Sequence, residues 1–151
     1  MWERLWDESA QAAFTELLPA GHEFPQPDAE RWYALIEEPE VTMLLAEEDG
    51  ELLGFSTSGE SRDEDADSSV GEIRSFFVAA GHWGRGIGRE LMAAALDSLR
   101  ERGCTEATMW SFAANERANA FYERAGFERD GAEKTEEAWA HLLEVRYRLS
   151  L

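Results

Sequence analysis

Three glycines spaced one residue apart, Gly84, Gly86 and Gly88, stand between an apolar run and a long amphipathic series, and this restricts the fold more than any other feature. Upstream, Gly71 to Val78 (GEIRSFFV) alternates as a strand does, with Ile73, Ser75 and Phe77 on one face and Glu72, Arg74, Phe76 and Val78 on the other. Downstream, Ile87, Leu91, Ala95 and Leu99 recur every four residues until Gly103 supplies a stop. Strand, glycine loop and helix in direct succession place the loop's N–H groups at the positive end of a helix dipole, where they can surround phosphate oxygens. A tight turn with close helix packing uses glycine in the same way, and spacing alone does not separate the two. The chain has no Gly-x-x-x-x-Gly-Lys-Ser/Thr, and Arg89 stands where a dinucleotide fingerprint needs its third Gly or Ala. The nucleoside-triphosphate and dinucleotide readings therefore drop.

Charge narrows the partners. The 151 residues carry 14 Lys plus Arg against 32 Asp plus Glu, a formal net charge of −18, so nucleic acid and anionic membrane surfaces would repel the chain. Within it, Gly84 to Arg102 holds four Arg (85, 89, 100, 102) against three acids (Glu90, Asp97, Glu101), the least acidic long stretch. The single Cys104 cannot form an intrachain disulfide, the MWERLW start lacks an apolar signal region, and no window reaches the ~20 apolar residues of a membrane span, so a reducing cytoplasm is expected. His22, His82 and His141 are scattered without metal-ligand spacing, and no metal is expected.

The remaining elements follow from local signals. Ala12, Phe14, Leu17 and Leu18 predict a first helix over Asp7 to Leu18, and Asp28 can cap a second with Trp32, Tyr33, Leu35 and Ile36 on its apolar side. Trp2, Trp6, Trp32 and Tyr33 could line an acceptor pocket, with packing of these helices as the default. Asp49-Gly50 joins the runs Val41 to Glu47 and Glu51 to Ser58 into a hairpin. The stretch Glu60 to Asp67 (ESRDEDAD) reads as a solvated acidic loop that could also attract a cationic substrate. A strand over Ala107 to Phe112, a helix over Glu116 to Ala125 capped by Asn115 and stopped by Gly126, and a last strand over Leu142 to Leu149 complete one mixed α/β domain spanning residues 1–151.

These motifs resemble the GNAT superfamily of N-acetyltransferases, whose signature Gln/Arg-x-x-Gly-x-Gly/Ala lies between a strand and a helix. Here the window reads Trp83-Gly84-Arg85-Gly86-Ile87-Gly88, GEIRSFFV is similar to the strand before it, and NERANAFYERAGF is similar to a later family segment. The matches run from about Gly71 to Phe127, and Trp83 departs from the family's Gln or Arg. The resemblance implies a central mixed, mostly antiparallel sheet flanked by about four helices, with splayed central strands forming a cleft for acetyl-CoA. It implies that Phe76, Phe77 and Val78 pair with the pantetheine arm, that the amides of Gly84, Arg85, Gly86, Ile87, Gly88 and Arg89 hold the pyrophosphate, and that Asn115 bonds the arm. Family members are often homodimers, and the partners implied are acetyl-CoA and an amine acceptor.

Acyl transfer to an amine needs a base for the amine and an acid for the departing thiolate. By resemblance Tyr122 is the acid, a phenol with an ordinary pKa of about 10 that stays protonated at neutral pH. Glu72 matches a carboxylate that serves as a base in some members, with Arg74 on its face, so an orienting or electrostatic role is an equal alternative. Direct transfer to a primary amine, with a small cationic acceptor favoured by the acidic loop, is the expected activity. A CoA-binding sensor without turnover and an O-acyltransferase are the alternatives.

Overall fold

The computed structural model describes residues 14–23, 30, 33–34 and 37–151. Asp49 and Gly50, both at positive φ (52° and 81°), turn β1 (Thr42–Glu48) back onto β2 (Glu51–Glu60), the hairpin that Asp-Gly predicts. β3 (Val70–Val78) adds antiparallel to β2. The glycine loop and α1 (Ile87–Glu101) follow, and β4 (Glu106–Phe112) lies parallel to β3. Then α2 (Glu116–Arg124), β5 (Glu128–Lys134) and β6 (Glu144–Ser150) complete, among the described residues, a six-stranded open sheet of order β1-β2-β3-β4-β6-β5. Four of its five pairings are antiparallel, the mixed sheet the sequence implies.

Two α-helices stand among the described residues where about four were expected. Most of the expected Asp7–Leu18 helix lies outside the described residues, with Phe14 helical and a turn after it. Of the second helix, Glu30, Tyr33, Ala34 and Glu37 are helical, while Asp28, Trp32, Leu35 and Ile36, like Trp2 and Trp6, lie outside the described residues. None of the described helices is long and apolar enough to cross a membrane.

α1 buries Leu91, Met92, Ala95, Leu96 and Leu99 on one face of the sheet, where all but Leu91 join Ile73, Met109, Tyr122, Phe127, Val145 and Tyr147 in the core. Burying each large apolar side chain contributes about 1.5–3 kcal/mol. The approach is close enough that a Cβ on Gly71 would stand 2.7 Å from Leu99 Cδ2 and 3.2 Å from Cys104 Sγ, so Cys104 packs at the edge of this core and burial raises its thiol pKa.

One expectation fails for a local reason. Thr57 pairs with Ser75 and Ser58 with Ile73, so Arg74 is an extra residue in β3, a bulge that reverses the alternation beyond it. Ile73, Phe76 and Val78 therefore face the helices: Phe76 stacks on Phe121 of α2 with ring centroids 5.6 Å apart, and Val78 lies 3.7 Å from a Cβ built on Gly88. Ser75 and Phe77 turn to the opposite face, against Thr57 (2.5 Å between hydroxyls) and Phe55 (ring centroids 5.2 Å).

The acidic loop is also less solvated than its composition suggests. Arg146 of β6, itself 6% exposed, donates to both oxygens of Asp65 (2.7 Å each), to Asp63 (3.1 Å) and to Asp130 (2.7 Å). Arg62 donates to Glu72. The loop is thus strapped to the sheet face opposite the helices by charge-assisted bonds.

Candidate active site

β3 and β4 share only three register pairs, Val70 with Glu106, Gly71 with Ala107 and Glu72 with Thr108. Past that point the two strands run on unpaired with each other, Ile73 to Val78 on one side and Met109 to Phe112 on the other. The bulge at Arg74 sits where they part and adds to the local twist. The result is a cleft in the middle of the sheet, lined by Ile73, Ser75, Phe76, Phe77, Met109 and Ser111 from the two strands, with Arg74, Tyr122 and Glu144 among its other walls. Beyond Glu72 the β4-facing edge of β3 has no neighbouring described strand, and an open edge of this kind is a template for an extended ligand with amide groups.

The glycine loop lies at the end of β3. Gly84 and Gly86 have φ of +78° and +86°, a left-handed conformation that side chains rarely adopt, and Gly86 is the N-cap of α1. The first backbone bond of α1 is Glu90 N–H to Gly86 O at 3.1 Å, so the amides of Ile87, Gly88 and Arg89 precede the helical ladder and have no carbonyl within the helix. A 15-residue helix with amides presented in this way favours an anion. The Arg89 guanidinium folds toward the loop, 3.8 Å from a Cβ built on Gly86. Arg85 turns elsewhere, donating to Glu48 of β1 (2.8 Å) and meeting His82 Nδ1 (2.6 Å), and its guanidinium holds the Glu48 carboxyl below its ordinary pKa.

Trp83 has its own work in place of the family's Gln or Arg. Its Nε1–H donates to Val78 O at 2.8 Å, fastening the loop to the last residue of β3, and Arg117 of α2 lies 3.4 Å from its ring centroid. Asn115 caps α2 by accepting from Ala118 N at 3.3 Å, which leaves its amide N–H donors available at the cleft.

Tyr122 is buried, lines the cleft from the helix face, and donates no hydrogen bond to another described residue. Burial, with Tyr147 beside it, pushes its phenol well above the ordinary value, so it is fully protonated through the neutral range. Glu72 is placed differently. It is 2% exposed, bound by Arg62 through Nη2 (2.6 Å) and Nε (3.0 Å) rather than by the expected Arg74, and it is not among the cleft-lining residues. Arg74 instead donates to Glu60 O at 2.9 Å and lines the cleft. The structure thus brings Phe76, Phe77, Asn115 and Tyr122 to one cleft, sets the glycine loop at the end of the strand that forms it, and holds Glu72 outside it.

Two features of the cleft escaped the sequence. Asn119, 4% exposed, accepts from Ser111 Oγ (2.7 Å) and donates to Phe112 O and Ala113 O (3.1 Å each), locking α2 to the end of β4 and so fixing Tyr122 over the cleft. Glu144 is a 7% exposed carboxylate on the cleft wall. The visible signal for Glu144 was a lone acid among apolar neighbours, Leu142-Leu143-Glu144-Val145, at the start of a strand.

Comparison with known proteins gives the family and the fold. The pattern of the Acetyltransferase (GNAT) family matches residues 2–127. A mycothiol acetyltransferase of Paenarthrobacter aurescens is 28% identical over 131 residues, covering 84% of this chain but 39% of that protein. The chain therefore spans well under half the length of that relative. Among solved structures, the ribosomal-protein-alanine N-acetyltransferase of Brucella melitensis superposes with a TM-score of 0.79 at 22% identity, over 99% of this chain and 92% of that one. The PaiA N-acetyltransferase of Thermoplasma acidophilum, solved in complex with coenzyme A, gives 0.70 at 14% identity over 99% and 91%. At these identities the two structures share the fold.

Proposed function

Because the chain belongs to the Acetyltransferase (GNAT) family, we propose that it binds acetyl-CoA in the cleft between β3 and β4 and transfers the acetyl group directly to a primary amine. The observation that carries this reading is the parting of the two strands after Glu72 and Thr108, with the glycine loop at the end of the strand that is left open. A pantetheine arm is extended and carries two amides, which suits the unpaired edge over Phe76 to Val78. Its pyrophosphate suits the amides of Gly84 to Arg89 and the Arg89 guanidinium. Asn115 would add a donor to the arm.

In the transfer, the amine nitrogen bonds to the thioester carbonyl carbon, the C–S bond breaks, the thiolate takes a proton, and the amine gives one up. Tyr122 stands ready for the thiolate, since its phenol carries its proton at every neutral pH and lies on the cleft wall. A covalent thiol route is disfavoured because Cys104 packs against the core and is not among the residues of the cleft. Glu72, paired with Arg62, fits an electrostatic role at the point where the strands part. The acidic loop offers a cationic acceptor less than its composition suggests, because Asp63 and Asp65 are engaged by Arg146.

The test is thiol release from acetyl-CoA with a panel of primary amines, for the wild type and Tyr122→Phe. Amine-dependent release that falls about 10²-fold or more in the variant supports the reading. Coenzyme A binding without release on any amine would turn the weight to a sensor.

A further inference from the structure

Amine acetylation at neutral pH needs a group that removes a proton from the amine, on the side of the thioester opposite the acid. Both faces of the sheet contribute to the cleft lining, Met109, Ser111 and Tyr122 from one and Phe112 and Glu144 from the other. Tyr122 enters from the helix face, where it packs with Val145 and Tyr147. Residues alternate along β6, and Arg146 points to the other face, toward Asp63, Asp65 and the Trp110 ring. Glu144, two residues earlier, shares that face with Arg146. Its register partner on β4 is Phe112, whose ring meets Phe14 and Trp139 with centroids 5.2 and 5.3 Å away. Glu144 therefore stands on the cleft wall beside aromatic rings, and its Oε2 is shielded from solvent with no hydrogen-bond donor among the described residues.

A carboxylate oxygen buried without a donor costs about 1–3 kcal/mol or more, and such a cost is tolerated where the group is used. Resting on the transferase reading above, we propose that Glu144 is the general base that takes the acceptor amine's proton from the face opposite Tyr122. The proton passes to Oε2 as the N–C bond forms, while the electrons of the breaking C–S bond stay on sulfur, which is protonated from the Tyr122 side. The charged groups around Glu144 suit this task. Burial raises its pKa, Lys134 across the β5–β6 ladder lowers it, and Glu136, itself 3.5 Å from Lys134, raises it by its charge and by a side-chain hydrogen bond, for a net value of about 7. Arg74 lines the same cleft, and Arg146 on the same strand is occupied by three aspartates. A base near neutrality is partly ionised at working pH and strong enough to accept a proton. Glu72, whose Oε2 takes two bonds from Arg62, is not among the cleft-lining residues and so lacks the position for this step.

The experiment follows thiol release from acetyl-CoA against pH for the wild type, Glu144→Gln, Glu144→Asp and Glu72→Gln, using ethylamine, putrescine and hydroxylamine as acceptors, with coenzyme A binding measured on each protein. Glu144→Gln should bind coenzyme A within about twofold of the wild type, since the residue lies away from the loop. It should lose about 10²-fold or more in kcat for the alkylamines and lose the rising limb near pH 7. Its defect should shrink at least tenfold with hydroxylamine, which is already neutral at pH 7 and needs less help. Glu144→Asp, which keeps the charge, should retain the limb. A Glu144→Gln profile that matches the wild type, or loss of the limb in Glu72→Gln instead, would overturn the assignment while leaving the transferase intact. A wild type that binds coenzyme A yet releases no thiol with any amine would overturn the transferase reading and the assignment together.

Discussion

Replacing Arg146 by methionine should destabilise the protein in a pH-dependent manner, because one buried guanidinium holds three aspartates from two segments. Its bonds are to Asp65 at 2.7 Å twice, Asp63 at 3.1 Å and Asp130 at 2.7 Å. The Asp65 side chain is 62% exposed and would be rehydrated at little cost, whereas Asp63 and Asp130 are 16% and 14% exposed. Each of these two keeps other donors, Trp110 Nε1 for Asp63 and Arg148 and Ala132 N–H for Asp130, so the loss falls below that of a fully orphaned buried charge. Two weakened charge-assisted contacts, at about 1.5–3 kcal/mol each and partly compensated, amount to about 2–4 kcal/mol at pH 7. In a chain of this length that is a fall of about 4–15 °C in Tm, readable by circular dichroism or urea titration. Burial raises the Asp130 pKa, but the Ala132 N–H with Arg146 and Arg148 outweighs it and leaves it below its ordinary 3.8; the Arg146 bond likewise lowers Asp65. Depressed carboxylate values mean stability that is present above the unfolded pKa and lost as pH falls through the folded one, so the gap between the two proteins should close below about pH 4. A methionine variant within about 0.5 kcal/mol of the wild type at pH 7, or a gap that does not narrow in acid, would refute this account of the strap.

Other expectations follow from the same geometry. Glu144→Gln should be more stable than the wild type at pH 8 by about 1–3 kcal/mol and equal to it near pH 4.5, because a carboxyl whose folded pKa is raised to about 7 loses stability as pH climbs from its unfolded value through 7; parallel urea titrations at the two pH values check the sign. Gly71→Ala sets a methyl 2.7 Å from Leu99 Cδ2 and should cost about 1–3 kcal/mol in thermal unfolding. Asn119→Ala removes its Nδ2 donor from the Ala113 carbonyl and from the Phe112 carbonyl, which keeps the Asn115 N–H; it should lose about 1–2 kcal/mol in the same assay and lower kcat through a loosened α2. Trp83→Gln restores the commoner family residue and should leave coenzyme A affinity within about threefold, since amides rather than that side chain are proposed to hold the phosphates, while costing about 1 kcal/mol from the lost Arg117 contact.

The elements readable in the sequence were those set by near neighbours. Asp49-Gly50 fixes a turn by its own dihedral preferences, Asn115 caps α2 three residues away, and the four-residue apolar spacing of α1 needs only the presence of a sheet. The glycine loop was legible because Gly84 and Gly86 mark a backbone that other residues avoid. What was not legible depends on distant partners. The bulge at Arg74 exists only in the register between β2 and β3, and it reverses the faces assigned to Ser75 to Val78 from simple alternation. ESRDEDAD looks fully solvated until Arg146, 81 residues beyond Asp65, reaches it. Glu72 and Glu144 look alike as single acids in apolar strands. Arg62 neutralises one, while Phe112 helps bury the other on the cleft wall.

The central claim is that the open edge of β3 and the glycine loop together hold coenzyme A, and calorimetric titration of coenzyme A and of pantetheine into the wild type and Gly88→Val tests it most directly. A Cβ at Gly88 already stands 3.3 Å from the Phe121 ring and 3.7 Å from Val78, so valine there crowds the junction of loop, strand and α2. One coenzyme A per chain, pantetheine weaker by at least about 30-fold for want of a pyrophosphate, and a loss of similar size in a folded Gly88→Val are the results expected, about 2 kcal/mol each. No heat from coenzyme A with the wild type, or affinity undiminished in the valine variant, would contradict it.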